Sequence, residues 1–214
     1  MRPVVRFTAA ADGSFDLTQP GDRLDEARVA VTPYPVTWLT QVHGSTVVAV
    51  DRPGAAAGAH ADAAVTAVPG AALSVITADC APILLATPHA VAAVHAGWRG
   101  LVAGVVPAAV DLLLSHGDAP VTAWLGPCIR SRCYEFGADD LAAVAAVLGE
   151  EVRGVTAWST PSLDVTAAVI AALQRSGVDH LIDTGVCTAC SPRHFSHRAR
   201  ADRGRQAAFV WLEE

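Results

Sequence analysis

The sequence contains no lysine and no asparagine, so its positive charge is carried by 15 arginines and, on protonation, by 8 histidines. These two absences exclude Schiff-base lysine chemistry, a lysine-bearing phosphate loop and N-linked glycosylation. Any bound anion must therefore be held by arginine, histidine or backbone amides. The net charge of −6 also argues against the concentrated positive face that nucleic-acid binding requires, and we expect no nucleic-acid partner.

Long hydrophobic runs are also missing. Apolar residues form 52% of the chain, but they fall in short stretches, and none approaches the roughly 20 residues that span a bilayer. The opening residues lack the basic and apolar segments of a secretory signal, so we expect a cytoplasmic protein that does not contact a membrane. The length of 214 residues fits one domain over positions 1–214, with a monomer as the default oligomeric state.

Short runs rich in valine, leucine and isoleucine predict buried strands. These runs lie at 4–8, 36–40, 46–50, 73–77, 83–87 and 91–95. Helical spacing predicts one helix that begins at Asp139 or Asp140 and ends near Gly149, and another that begins at Ser162 or Asp164 and ends at Gly177.

A further helix is expected after Arg99, kinked or restarted by Pro107. The small residues at 55–64 predict a surface loop, although Asp62 within it could begin the next strand. Together these elements indicate an α+β fold.

Three residues that could bind a metal or act in catalysis lie at the ends of apolar runs. His43 follows such a run in VTWLTQVHG, Cys80 lies at a break in ALSVITADCAPILL, and His95 ends the run in VAAVHAGWRG. Imidazole and thiolate are zinc ligands, and three protein ligands with an open fourth position are typical of catalytic zinc sites. A lone histidine or cysteine is more often a core residue, and the long gaps lack the spacing of a zinc finger. The residues alone therefore favour a metal site without establishing one.

Two neighbours of these residues are further candidates. Asp79 precedes Cys80, and a carboxylate beside a thiolate makes most physical sense near a metal or a protonated histidine. Asp79 is therefore a candidate acid or base. Arg99 lies at a predicted strand-to-helix turn between Gly97 and Gly100, where its planar guanidinium and the backbone amides would suit a phosphate group.

The remaining cysteines are interpreted as structural. The chain has five cysteines, an odd number, which a reducing compartment keeps as thiols. Cys187 and Cys190 form a CxxC within CTAC. In the absence of a second pair, we expect there a buried thiol with an incidental neighbour rather than a zinc or redox site. Cys128 and Cys133 receive the same interpretation.

Several motifs in combination resemble the YfiH family, also called the laccase-domain or multicopper polyphenol oxidase family. The matching motifs are QVHG, VITADCAPILL, VAAVHAGWRG, LGPCI followed by YEFG, and the closing DTGVCTACSPRHFSHRARADRGRQAAFVWL. The resemblance extends over about residues 36–212. It implies one domain of mixed β-sheets flanked by helices, with zinc, or alternatively copper, bound by His43, Cys80 and His95.

The resemblance also implies an activity: phosphorolysis of adenosine, inosine, guanosine and methylthioadenosine, together with adenosine deamination. The expected partners are then a purine nucleoside and phosphate. Arg99 and Arg205 are the candidate phosphate anchors, Gln41 is a candidate substrate contact, and Asp79 is the candidate proton carrier. Arg205 belongs to a basic segment at 193–205, which also includes His197. The other members of this segment could line a phosphate or nucleoside site or form a solvated surface.

Three alternatives stay open. The first is a metal-free cysteine hydrolase that acts on an amide of a cell-wall precursor, with Cys80 as the nucleophile and His95 or His43 as its base. The second is copper-dependent phenol oxidation, for which the remaining histidines show no clustered ligand pattern beyond His194 and His197. The third is a non-enzymatic protein that acts through a partner.

Overall fold

Two mixed β-sheets face each other at the centre of the molecule, in a computed structural model that describes residues 1–213. In chain order, the strands are β1 (Arg2–Phe7), β2 (Val36–Thr40), β3 (Val47–Ala49), β4 (Ala59–His60), β5 (Ala63–Thr66), β6 (Ala72–Thr77), β7 (Ala81–Ala86), β8 (Val91–Ala96), β9 (Thr122–Leu125), β10 (Arg153–Val155), β11 (Pro161–Leu163), β12 (His180–Asp183) and β13 (Gln206–Glu213). One sheet has the order β1-β13-β6-β2-β4 and the other the order β12-β9-β7-β8-β5-β3, while β10 and β11 form a separate hairpin.

Helices cover the outer faces of both sheets. In chain order, they are α1 (Gly21–Val31), α2 (Trp98–Ala103), α3 (Val105–Leu114), α4 (Ala138–Leu148), α5 (Val165–Arg175) and α6 (His197–Arg200). Helix α1 packs with Phe15, Phe209 and Trp211 on the five-stranded sheet, and α2 to α5 share one buried cluster with the six-stranded sheet. The predicted α+β fold, a single domain of mixed sheets flanked by helices, is confirmed.

Strand β7 shows why an unbroken apolar run in the sequence predicts a buried strand. Its residues are buried on both faces: Ile83 and Leu85 pack toward the helices, and Leu84 packs between the two sheets. A strand covered on both sides needs apolar residues at every position, so it appears as an unbroken run. In β8, Val91 packs between the two sheets, and His95, four positions later, lies on the same face of the strand. A polar side chain therefore lies at the end of the layer between the sheets.

Most predicted elements are present, with shifts of one or two residues at their ends. Asp164 accepts a hydrogen bond from Ala167 N and caps α5, whereas the alternative cap, Ser162, lies inside β11. Gly104, at φ 88°, separates α2 from α3, and Pro107 then occupies the first turn of α3, where a missing amide costs little. The helix therefore restarts rather than kinks.

The segment at 55–64 is less irregular than expected, because it contains β4 and the first residues of β5. In the part of the chain that the structure describes, no helix combines the length and the apolar character that crossing a bilayer requires.

Candidate metal centre

His43, Cys80 and His95 come together where the two sheets meet. His43 follows β2 of the five-stranded sheet, Cys80 directly precedes β7 of the six-stranded sheet, and His95 lies near the end of β8. The His43 Nε2 and Cys80 Sγ atoms are 3.9 Å apart, and the two imidazole centroids are 4.8 Å apart in an edge-to-face arrangement. The potential ligand atoms of all three residues lie within 4.8 Å of one another. The fold thus assembles the predicted three-residue set.

Backbone strain accompanies this cluster. His43 has φ 59° and Asp79 has φ 101°, both in the region that favours glycine. Such conformations persist only where the surrounding structure fixes them, and they concentrate at functional sites.

Asp62 fixes the loop that carries His43. Its carboxylate is fully buried and accepts hydrogen bonds from the backbone N–H groups of Val42 (3.3 Å), His43 (2.9 Å) and Gly44 (2.7 Å). The same carboxylate accepts the Nδ1–H of His95 at 2.8 Å. This contact leaves Nε2 of His95 for a ligand, as in the carboxylate–histidine–zinc arrangement of many metal sites. This role of Asp62 was not predicted from the sequence; the available signal was an acidic residue within an otherwise small and apolar segment.

The three residues fit a zinc ion by two tests. Zinc bonds of about 2.0 Å to nitrogen and 2.3 Å to sulfur allow at most about 4.3 Å between two such ligand atoms, and the 3.9 Å separation of His43 Nε2 and Cys80 Sγ is within that limit. Gly97 also leaves the required space, because a Cβ there would lie 2.9 Å from the His43 ring and 3.3 Å from Cys80 Sγ. The donor set of two imidazoles and one thiol suits zinc or copper.

In the metal-free cluster, Cys80 is already in its ligand form, whereas His95 has to release a proton when a cation binds. Burial raises the pKa of the Cys80 thiol, but His95 and His43 outweigh that effect and lower it to about 6. Burial lowers the pKa of His95, while Cys80 and Asp62 raise it to about 9. Burial raises the pKa of Asp62, but His95 and the loop amides lower it by more, so the pKa lies below its ordinary value and this carboxylate stays ionised. A thiolate is therefore present at neutral pH before any cation binds.

A cavity of about 480 Å³ opens onto the cluster, which is a size typical of small-molecule sites. Besides the three candidate ligands, its wall includes Gln41, His197 and Arg205. Asp16, from the segment before α1, completes one side. The cavity therefore combines a metal-binding set with one guanidinium, one further imidazole and one carboxylate.

Gln41 and Arg205 are already partly engaged. The Gln41 amide donates to Ile76 O and accepts from Ile76 N, both at 2.8 Å, so one N–H and one lone pair of this amide remain. Arg205 donates from Nη1 to the carbonyl groups of residues 202, 203 and 204, and within residues 1–213 its Nη2 has no hydrogen-bond partner. Both side chains are thus held rigidly with capacity left for a ligand.

The structure does not bring Asp79 or Arg99 into the cavity wall. The Asp79 carboxylate is buried and accepts hydrogen bonds from Thr188 Oγ1 at 2.6 Å and Arg198 N at 2.7 Å. Arg99 is exposed and stacks on the Trp98 ring, with its Cζ atom 4.2 Å from the centroid. Adjacency to Cys80 suggested Asp79, and the predicted strand-to-helix turn suggested Arg99, but neither side chain is directed into the cavity.

Comparison with known proteins assigns the family. The model of the multi-copper polyphenol oxidoreductase laccase family matches residues 17–213. The chain belongs to this family. The resemblance to laccase-domain proteins that the sequence motifs carried is therefore confirmed.

Relatives in the laccase-domain family carry names that differ from the family's own. A protein of Streptomyces coelicolor named purine nucleoside phosphorylase is 47% identical over 190 residues, which cover 86% of this chain and 78% of that protein. One with the same name from Mycobacterium tuberculosis is 42% identical over 182 residues, covering 83% and 72% of the two chains. The crystal structure of the hypothetical protein YfiH of Bacillus licheniformis has a TM-score of 0.87 at 21% identity, covering 99% of this chain and 93% of that one, which supports the fold.

Proposed function

We propose that this laccase-domain protein is a zinc-dependent purine nucleoside phosphorylase that also deaminates adenosine. The observation that carries the proposal is the opening of one cavity onto both the His43, Cys80 and His95 cluster and the Arg205 guanidinium. The names of the relatives support the phosphorylase part of the proposal. We place the reaction in the cytoplasm, with adenosine, inosine, guanosine or methylthioadenosine and phosphate as the small-molecule partners.

In phosphorolysis, an oxygen of inorganic phosphate forms a bond to ribose C1′ while the bond from C1′ to the purine nitrogen breaks. Arg205 is the residue that we assign to phosphate, because its remaining guanidinium donors lie in the cavity wall and match phosphate oxygens. Gln41 contributes one N–H and one lone pair to orient the nucleoside. His197 and Asp16 are the other titratable groups of the wall, and we assign to them the transfer of a proton to the departing purine.

The metal ligands are His43, Cys80 and His95, with Asp62 as a positioning residue. Zinc held there would supply Lewis-acid activation at its open position, which suits the replacement of the amino group of adenosine by water. Asp79 acts in this scheme through the backbone: its hydrogen bonds to Thr188 and Arg198 hold the strained turn that presents Cys80.

Product analysis tests the proposal. Protein of known zinc content is incubated with adenosine, with and without phosphate, and inosine, adenine and ribose 1-phosphate are separated by chromatography. We expect adenine and ribose 1-phosphate only when phosphate is present, and inosine in both reactions. Cys80→Ala removes a ligand and should abolish all products, whereas Cys128→Ala, a cysteine buried outside the cavity, is the matched control. Equal product from wild type and Cys80→Ala would refute the proposal.

The geometry also favours a second candidate, a metal-free cysteine hydrolase acting on an amide. His95 lies between Cys80 and Asp62, an order that resembles a nucleophile, base and orienting carboxylate. Removal of the metal distinguishes the two candidate functions. Phosphorolysis and deamination should stop when zinc is chelated and return when it is restored, whereas a cysteine hydrolase would keep its activity.

Copper-dependent phenol oxidation rests on the family name alone. Oxidation by several coppers needs additional histidine-rich clusters, and among residues 1–213 the only other cluster of potential ligands consists of three cysteines. Phenol oxidation by the copper-loaded protein at a rate above that of Cys80→Ala would favour this alternative.

A further inference from the structure

Three cysteine thiols meet at a second place, outside the candidate metal centre. Cys133 ends the short 3-10 turn Ser131–Cys133, while Cys187 and Cys190 lie in the loop between β12 and α6. The Cys133 and Cys190 sulfurs are 3.1 Å apart, and all three sulfurs lie within 4.8 Å of one another. The CxxC pair, interpreted from the sequence as an incidental thiol and its neighbour, therefore has a third partner that lies 57 residues before Cys190 in the chain.

The loop around Cys187 is shaped to favour a thiolate. Burial raises the pKa of Cys187, but the backbone amides of Arg130, Cys190 and Ala189, together with the Cys190 thiol, lower it below its ordinary value. The loop itself is fixed, because Ser191 N donates to Cys187 O at 2.9 Å. Cys187 is therefore held in place beside Cys133 and Cys190.

The three thiols cannot all ionise without a cation. Burial and the neighbouring Cys190 and Cys187 raise the pKa of Cys133 to about 12. Three thiolates at these distances would repel one another strongly, and a bound cation removes that repulsion while the displaced protons leave. The three sulfurs thus lie close enough together for one cation to bind all of them.

The distances and access suit a metal ion. Two sulfurs bound to one zinc ion at about 2.3 Å lie at most about 4.6 Å apart, and the 3.1 Å separation of the Cys133 and Cys190 sulfurs is within that limit. Cys190 is exposed, and Cys133 lines a neighbouring cavity of about 600 Å³, so an ion has a path from solvent.

We propose that Cys133, Cys187 and Cys190 bind a thiophilic cation, Zn²⁺ or Cu⁺, at a site separate from the His43, Cys80 and His95 centre. Both ions accept three thiolate ligands, and this shared chemistry defines the site. The proposal does not depend on the purine chemistry of the other centre.

An ion in this thiol cluster would also act on the candidate active site. Thr188, between Cys187 and Cys190, donates its hydroxyl to Asp79 Oδ1 at 2.6 Å, and Asp79 precedes Cys80. Arg200 donates to Ala189 O at 3.0 Å and Thr188 O at 3.3 Å, so the loop is already held on one side. Metal binding would fix its other side and, through Thr188, the turn that presents Cys80.

The test uses the full chain, reduced and freed of metal, titrated with Zn²⁺ and in parallel with Cu⁺ under anaerobic conditions. Wild type should bind two equivalents tightly. Cys80→Ala, which lacks a ligand of the first centre, should keep one, and X-ray absorption of that ion should show three sulfur neighbours. Competition between the two ions in Cys80→Ala then decides which of them the thiol cluster prefers.

Serine substitution supplies the second arm. Cys80→Ala combined with Cys190→Ser or with Cys187→Ser should lose the remaining equivalent, while Cys80→Ala with Cys128→Ala should keep it. Circular dichroism checks that each variant is folded. The proposal is overturned if Cys80→Ala binds neither ion with a Kd below about 1 μM. It is equally overturned if fewer than three sulfurs surround the bound ion, or if the reductant-treated chain retains a Cys133–Cys190 disulfide.

Discussion

Replacing Asp62 by asparagine keeps the shape of the side chain but removes the charge on which His43 and His95 both depend. One oxygen of Asp62 accepts from His43 N and His95 Nδ1, and the other accepts from Gly44 N and Val42 N. An asparagine has only one such oxygen. Its NH₂ group must therefore face N–H donors in either orientation.

Each orientation damages the centre in a different way. With the NH₂ group toward His95, Nδ1 has to accept, the proton moves to Nε2, and the nitrogen that would bind zinc is blocked. With the NH₂ group toward Gly44, the loop that carries His43 loses its buried acceptor, at a cost of about 1–3 kcal/mol in the free energy of unfolding. Loss of such an outer contact typically weakens metal binding about 10- to 100-fold, or by about 1.4–2.8 kcal/mol.

Zinc affinity of Asp62→Asn is measured by competition with a chromophoric chelator at pH 7.5, and the free energy of unfolding of the metal-free protein by urea titration. Asp164→Asn is the matched control, because that carboxylate also accepts from a backbone amide but caps α5, where asparagine caps equally well. A zinc Kd for Asp62→Asn within about twofold of wild type would refute the role of the carboxylate.

Three further predictions concern the same centre. Gly97→Ala places a Cβ 3.3 Å from Cys80 Sγ and should weaken zinc binding by more than about tenfold in the same titration, whereas Gly137→Ala, with open space around it, should not. In metal-free protein, the rate at which the Cys80 thiol is alkylated should rise with pH around a midpoint near pH 6, because the thiolate forms above the lowered pKa of this thiol. Peptide mass spectrometry measures this rate, and a midpoint near pH 8.5, about the pKa of an ordinary thiol, would contradict the prediction. Arg205→Ala should raise the KM for phosphate by about 10- to 100-fold, while Arg99→Ala should change it by less than about threefold, since only Arg205 lines the cavity. Steady-state kinetics with inosine measure both values. A larger effect of Arg99→Ala than of Arg205→Ala would reassign the phosphate site.

The sequence predicted the elements that are buried on both faces and the candidate ligands that the fold brings together at their ends. Strands β6, β7 and β8 are largely apolar along their length because sheets or helices cover each side, and Cys80 and His95 lie where those runs are interrupted. Asp164 caps the first turn of α5 with its own side chain, so the start of this helix was predictable. The break between α2 and α3 also has a local cause, the positive φ of Gly104.

The features that were missed depend on contacts between distant segments. Asp62 reaches His95 only because β5 pairs with β8, and no local pattern in AHADAA encodes that pairing. Cys133 meets Cys190 across 57 residues, so a search for a second CxxC could not find it. For Asp79, proximity in sequence suggested proton transfer, but its positive φ turns the carboxylate toward Thr188 instead.

The position of the last strand has a consequence for how the protein is made. β13 (Gln206–Glu213) lies between β1 and β6, so it joins the first strand of the chain to the strand that leads into Cys80. During synthesis, that sheet stays split until β13 has left the ribosome, and the exposed edges of β1 and β6 remain unpaired until then. The cavity wall at Arg205, one residue before β13, closes in the same event. A nascent chain therefore carries His43, Cys80 and His95 long before it carries a complete cavity, which forms only when β13 is available to pair with β1 and β6.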